Sequence, residues 1–335
     1  MPLVPMKQLL DEAVKGNYGV GAYNVNNMEQ VQAIVWAARD TQSPLIVQAS
    51  RGALKYSSLV YLKHLMLAAV EENPDLPIAM HLDHGNNLDS CKTAISLGFT
   101  SVMIDGSLME DGKTASDYEY NVKVTKEVVN YAHERGVTVE GELGTLGGIE
   151  DGVGSGEIHV TDPAMVQDFV EKTGVDALAV AIGTSHGAYK FKSEPKLAFD
   201  VLEETGKRLP GFPLVMHGSS SVPAELVAVV NKYGGKMPDA KGVPMDAIKK
   251  GITMGVRKIN VDTDSRIAMT GAIRKVFGET PDKFDPRDYL KPAREAVYNL
   301  LITKMKDFGT AGHAKDFAPK SLDDYRQLYA KKDRK

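Results

Sequence analysis

At 335 residues, with 43% apolar and 25% charged side chains, the chain can fill a large core, as one α/β barrel or as two smaller domains. A net charge of −4 offers no basic surface for nucleic acid, and the single cysteine, Cys91, excludes an intrachain disulfide. No run approaches the roughly 18 apolar residues of a membrane span, the opening MPLVPMKQLLDEAVKGN has no apolar signal core, and the expected setting is a reducing cytoplasm.

Taken in chain order, short β-rich runs alternate with amphipathic helical stretches. The first run is GVGAYNV (19–25), followed by NMEQVQAIVWAARD, where Val31, Ile34, Val35 and Ala38 share one helical face. PLIVQAS (44–50), PIAMHLD (77–83) and TSVMIDG (100–106) come next. Thr114 with Asp117 then reads as a capping box for a helix that Gly136 closes. VTVEGEL (137–143), DALAVAIG (176–183), PLVMHG (213–218) and VRKINVD (256–262) complete a set of eight, with GGKMPDAKGVP (234–244) as a loop between two helices. Strands alternating with helices imply parallel βαβ units, and eight of them imply a closed (β/α)₈ barrel. The expected organisation is one barrel domain over 1–335. Extra C-terminal helices from about residue 280 would pack on the barrel or on a second subunit, and the basic end YAKKDRK reads as a solvated tail.

In such a barrel the chemistry sits at the C-terminal ends of the strands. The tips read Asn24, Ser50, Asp83 with His84, Asp105, Glu142, His186, His217, and Asn260 with Asp262. Singly, an Asn or Ser at a strand end is a turn or a cap, and His64, His133, His159 and His313 read as packed or surface residues. Three histidines at the tips of the third, sixth and seventh strands match a catalytic zinc with an open fourth position. The turns HGSSSVPAEL and NVDTDSRIAM each lead into a helix after strands seven and eight, where backbone N–H groups bind phosphate. The glycine-rich LGTLGGIEDGVGSGE (143–157) reads as a lid over the same face. The three-histidine metal next to a phosphate cradle points to a phosphorylated carbonyl substrate.

HLDHG, GTSHGAYKF, VMHGSSSVP and KINVDTD resemble the class II, metal-dependent fructose-1,6-bisphosphate aldolases, over almost the whole chain. NVNNMEQVQAI, DGSLMEDGKT and FDPRDYLKPA are similar to the subgroup of Calvin-cycle operons, although the loop after the fifth strand is shorter here than that subgroup often has. The resemblance implies zinc on His84, His186 and His217, with Asp105 and Glu142 serving an alternative metal position or supporting the ligands. It implies Asp83 as acid/base at the substrate C4 hydroxyl and Glu150 as acid/base at C1 of dihydroxyacetone phosphate. Asn24 would contact substrate, and Asn260 would hold a metal-bound enediolate. Gly187, Gly218, Ser220, Asp262 and Thr263 would cradle the C1 phosphate, while Ser50 and Arg266 would meet the other one, Arg266 by reaching into the neighbouring subunit of a homodimer or homotetramer. Other divalent metals, and a monovalent cation beside the phosphate, stay open.

Cleavage of C3–C4 needs an electron sink and a base at the C4 hydroxyl, which explains a carboxylate next to a metal ligand, with His81 in support. Three rivals remain. A Schiff base would need a desolvated lysine, and Lys258 is the candidate, although neutralising buried Glu140 or Glu142 suits it better. A metal-dependent hydrolase would show His-x-His where the first strand has YNVN, and a non-catalytic sugar-phosphate sensor would have no use for Asp83. Tagatose 1,6-bisphosphate and sedoheptulose 1,7-bisphosphate are the alternative substrates.

Overall fold

The computed structural model describes residues 3–148, 158–189 and 196–332. The strands are β1 (Val20–Asn24), β2 (Leu45–Ser50), β3 (Ile78–Gly85), β4 (Ser101–Ile104), β5 (Thr138–Leu143), β6 (Ala177–Val180), β7 (Leu214–Met216) and β8 (Val256–Val261). They are parallel and close in sequence order into one barrel, β8 pairing back onto β1.

Helix α1 (Met6–Gly16) precedes the barrel, and α2 (Met28–Thr41) follows β1. Both α3 (Arg51–Ser57) and α4 (Leu59–Glu72) follow β2, then α5 (Leu88–Ser96), α6 (Tyr118–His133), α7 (Val166–Thr173) and α8 (Phe199–Arg208) follow β3 to β6 in turn. After β7 come α9 (Ala224–Lys232) and α10 (Met245–Thr253), and after β8 come α11 (Thr263–Glu279), α12 (Pro286–Asp307) and α13 (Leu322–Lys332).

Every strand residue is buried, so the runs are apolar on both faces rather than alternating. Parity still sorts them. Val20, Ala22, Ile46, Ala79, Ala177, Ala179 and Val215 form one cluster with Met6, Leu9, Leu10 and Ala13 of α1. Tyr23, Val47, Met80, Val139, Leu178 and Ile259 belong instead to the core under the helices. The first set lines the barrel, and α1 plugs its lower end, where the Val4 N–H donates to the Ile78 carbonyl at 2.8 Å.

Ascending the same inward positions, apolar gives way to polar. Ala22 is followed by Asn24, Ile46 by Gln48, Ala79 by His81 and Asp83, and Val215 by His217. A buried Val, Leu or Ile contributes about 1.5–3 kcal/mol, and a buried polar group costs unless it is partnered. The upper layer therefore forgoes core stability, and its residues must be held by one another.

The segment beyond 280 lies on the outside. α12 packs against α2 and α11, with Ala293, Val297, Leu301 and Met305 in the main core at helical spacing. α13 lies on α6, its Tyr329 ring 3.7 Å from that of His133, and both side chains bond Asp176. Gly136 has a left-handed φ of 73°, and a Cβ there would fall 1.8 Å from the Leu322 carbonyl oxygen, so only glycine lets α13 begin so close. The expected Thr114–Asp117 capping box does not form. Asp117 is itself the N-cap of α6, accepting from Tyr120 N–H at 2.8 Å, and the Thr114 hydroxyl donates to Asp111.

Candidate active site

Strand alternation should send neighbours Asp83 and His84 to opposite faces. The end of β3 avoids this. Its register against β4 shifts between Leu82 and Gly85, and His84 takes a left-handed φ of 51°. A non-glycine residue held there costs on the order of 1–3 kcal/mol and is retained where its surroundings demand it. The bulge turns both side chains into the barrel mouth. Gly85 makes it possible, since a Cβ there would meet the Met103 carbonyl at 2.6 Å.

Seven of the expected residues meet in one network. Asn24 donates to Asp83 Oδ2 at 2.9 Å and accepts from Gln48 at 2.6 Å, while Asn260 Nδ2 reaches Asp83 Oδ1 at 3.2 Å. His84 Nδ1 lies 3.1 Å from Asp105 Oδ2, and His217 Nε2 lies 2.7 Å from Glu140 Oε1. The Glu142 carboxylate is 4.0 Å from His84 Nδ1, and its Oε2 is buried without a hydrogen-bond partner.

With each outer ring nitrogen donating to a carboxylate, the inner nitrogens, His84 Nε2 and His217 Nδ1, face each other at 3.1 Å with their lone pairs. That arrangement is repulsive unless a proton or a cation intervenes. The donor groups Asp83–His84–His217 and His84–Asp105–Glu142 each gather within 4.8 Å, so these residues fit a divalent ion. The ring of His186 stands edge-on to His84 with centroids 5.1 Å apart, beside the two tight groups rather than in them. Its strand assignment needs correction too: β6 ends at Val180, and His186 sits six residues further on, its N–H bonded to the Gly147 carbonyl at 2.9 Å.

The charges answer one another. Burial opposes a charged His84, but Asp83, the Asp105 hydrogen bond and Glu142 outweigh it and push its pKa up to about 10. Burial, then the nearby Lys258 ammonium, holds His217 and His81 well below the usual histidine value. Burial would raise Asp83, yet His84, His217 and Lys258 keep it below the ordinary carboxylate range, so that it stands ionised. Burial and then the Asp105 charge push Glu142 well above its usual value.

The turns expected to hold phosphate are shaped by main chain. Gly218 has a φ of 59°, and a Cβ there would lie 2.6 Å from the Ser185 carbonyl oxygen. Ser220 Oγ accepts from the Asp262 N–H at 3.3 Å, tying the turn after β7 to the start of α11 at Thr263. Gly187, with φ 82°, follows His186 directly. Arg266 grips Asp262 of its own chain with two contacts of 2.7 and 2.6 Å. Ser50 pairs in register with Asp83, and its hydroxyl oxygen caps α3. Glu150 and most of the expected lid lie outside the described residues.

Lys258 points inward, fully buried, 3.0 Å from Glu140 Oε2 and donating to Asn260 Oδ1 at 2.8 Å. The neutralising role expected for it is the one seen. Reading only the strand tips missed Gln48, Glu140 and Ser107, which hold Asn24, His217 and Asp105 from two residues below a tip or two residues beyond one. Their inward parity with Ser50 and Glu142 was the signal available. His81 bonds Ser101 at 2.8 Å and stands 3.5 Å from Glu140, the carboxylate that carries His217.

Comparison with known proteins converges on one family. The profile of the class II fructose-bisphosphate aldolases matches residues 4–313. The chain is 59% identical to a fructose-bisphosphate aldolase of Giardia intestinalis over 98% of its own length and 100% of that protein's. It is 52% identical to one from Nostoc sp. over 99% and 96%. Among solved structures, the YdjI aldolase of Escherichia coli K12 superposes with a TM-score of 0.75 at 30% identity, covering 93% of this chain and 100% of that one.

Proposed function

The chain belongs to the class II fructose-bisphosphate aldolase family, carbon–carbon lyases that split fructose 1,6-bisphosphate into dihydroxyacetone phosphate and glyceraldehyde 3-phosphate, and from that premise we propose how its own residues divide the work. His84, His217 and His186 hold a divalent ion, zinc by preference for imidazole donors, with Asp105 and Glu142 as a second, carboxylate-rich position. An ion held there supplies Lewis-acid stabilisation of the charge left on the three-carbon fragment. Asp83, ionised and fixed by Asn24 and Asn260, takes the C4 hydroxyl proton as C3–C4 breaks and C4 becomes the aldehyde carbon. The bonding pair stays on C3, and the Asn260 amide N–H, which lies 3.2 Å from Asp83 and 3.0 Å from His217, would donate to the charge that develops on the fragment. Glu150 protonates that carbon.

Gly187, Gly218, Ser220, Asp262 and Thr263 hold the C1 phosphate, and Ser50 with Arg266 of a partner subunit the C6 phosphate of a homodimer. The lone buried thiol of Cys91 suits a reducing, cytoplasmic compartment. The gathering of His84 and His217 ring nitrogens, 3.1 Å apart, with the carboxylates of Asp83, Asp105 and Glu142 in two tight donor groups carries this reading.

The test is a coupled assay for triose phosphate release, with chelator and then with zinc or cobalt restored. Cleavage should vanish and return, and full activity in a demonstrably metal-free sample would refute it. Borohydride with substrate should trap nothing on Lys258. Glu150→Ala should slow exchange of the C1 proton of dihydroxyacetone phosphate roughly 10²–10⁴-fold, and wild-type exchange would remove Glu150 from the mechanism.

A further inference from the structure

The turn after β7 has an unexplained strain. Besides Gly218 it contains Val222, with a φ of 48°. A β-branched residue in the left-handed region is an outlier costing on the order of 1–3 kcal/mol, so something must hold it.

That something is Asp264, in the first turn of α11. Its Oδ1 accepts from Val222 N–H at 2.7 Å and its Oδ2 from Ser221 N–H at 2.9 Å. The solution carries a penalty: a carboxylate now stands behind a turn meant to receive a phosphate, and like charges repel. Lys304 removes it. Its ammonium lies 2.6 Å from Asp264 Oδ2 and donates to Ser221 Oγ at 2.6 Å, with the Lys304 and Asp264 side chains 3% and 0% exposed. Lys304 comes from α12, a helix beyond the eight barrel units. A surface helix thus reaches the turn through one buried charge.

We propose that Lys304 and Asp264 are positioning residues for substrate phosphate: Asp264 clamps the turn after β7 in its left-handed form, and Lys304 cancels the charge that the clamp introduces. This rests on the reading of that turn as a phosphate cradle. A role in fold stability alone would lower the melting temperature and the active fraction without changing how tightly the remaining sites hold phosphate.

The experiment measures kcat and KM for fructose 1,6-bisphosphate and competitive inhibition by inorganic phosphate, in wild type, Lys304→Met, and Lys304→Met/Asp264→Asn. In Lys304→Met, KM and the inhibition constant should rise together, roughly 10- to 100-fold for a buried charge left unpaired, with kcat changed far less. The double variant should be less impaired, since the bare carboxylate is gone. It should still be several-fold weaker than wild type, because an amide in place of the carboxylate offers one acceptor oxygen to two N–H groups. Unchanged phosphate inhibition in folded Lys304→Met overturns the proposal and leaves the cradle standing. If Lys304→Met does not fold, wild-type phosphate inhibition in the double variant overturns it equally. Failure of inorganic phosphate to compete in wild type itself removes the cradle, and the brace with it.

Discussion

The two halves of the barrel mouth are built by different means. On the side of β3, β4, β5 and β7, imidazoles and carboxylates project from strands or strand ends, and His84, Asp105 and His217 are fixed by partners within 2.6–3.1 Å. On the side of the turns after β7 and β8, the proposed phosphate surface is the peptide backbone itself, bent through left-handed Gly218 and Val222 and clamped from behind. A side-chain site loses a whole chemical function when one residue is truncated. A backbone site loses one contact among several, or changes shape when its support goes. Substitutions on the two sides should therefore differ in kind: loss of turnover on the first, graded weakening of substrate on the second.

The largest effects belong to the first half. His84→Ala should leave the protein without tightly bound metal and without measurable cleavage, read by elemental analysis and the coupled assay. Asp83→Ala should keep its metal and lose C–C cleavage roughly 10²–10⁴-fold, yet still exchange the C1 proton of dihydroxyacetone phosphate. If exchange disappears with cleavage, one carboxylate serves both steps and the division between Asp83 and Glu150 collapses.

Next comes Lys258, which joins the two Asn260 functions. An ammonium can only donate, so the Asn260 atom 2.8 Å away must be its oxygen, and the amide nitrogen is thereby turned toward Asp83 and His217. Lys258→Met paired with Glu140→Gln, so that no charge is stranded, should lower kcat about 10-fold or more with little change in KM. Against an Asn260→Ala background the same pair should cost little more than Glu140→Gln alone, which by itself loosens the hold on His217. Full additivity would show that Lys258 acts on the fold and not through Asn260.

How much of this could be read from the sequence divides along the same line. Eight strands, the barrel and the tip residues were legible, because burial on both faces and βα alternation write themselves into apolar runs. The joint inward projection of Asp83 and His84 was not, since it depends on a bulge whose register only β4 defines. His186 was placed on a strand tip it does not occupy, because the run DALAVAIG is apolar past the last ladder pair, Leu143 with Val180. Lys304 was invisible: forty residues along from Asp264, its meaning comes from how α12 crosses α11.

Arg266 tests whether the phosphate half is complete within one chain. Here it grips its own Asp262, and the role proposed for it at the C6 phosphate is played in a partner subunit. Arg266→Ala and Asp83→Ala, each impaired alone, should on mixing and refolding regain about a quarter of wild-type activity, because half the dimers would be mixed with one good site of two. No gain, with mixed dimers confirmed by mass spectrometry, keeps Arg266 in its own chain.

The smallest effect should come from Ser220, although its hydroxyl stands in the phosphate turn. Its Oγ accepts the Asp262 N–H at 3.3 Å, a long contact, so the side chain adds one donor to a surface otherwise made of main chain. Losing one hydrogen bond of about 0.5–1.5 kcal/mol corresponds to roughly 2- to 12-fold in affinity. Ser220→Ala should therefore raise KM and the phosphate inhibition constant by no more than about tenfold, leaving kcat and metal content at wild-type levels. The turn should keep its shape, because Asp264 and not Ser220 holds Ser221 and Val222. A hundredfold rise would mean that a side chain carries phosphate recognition after all, and the contrast between the two halves of the mouth would be lost.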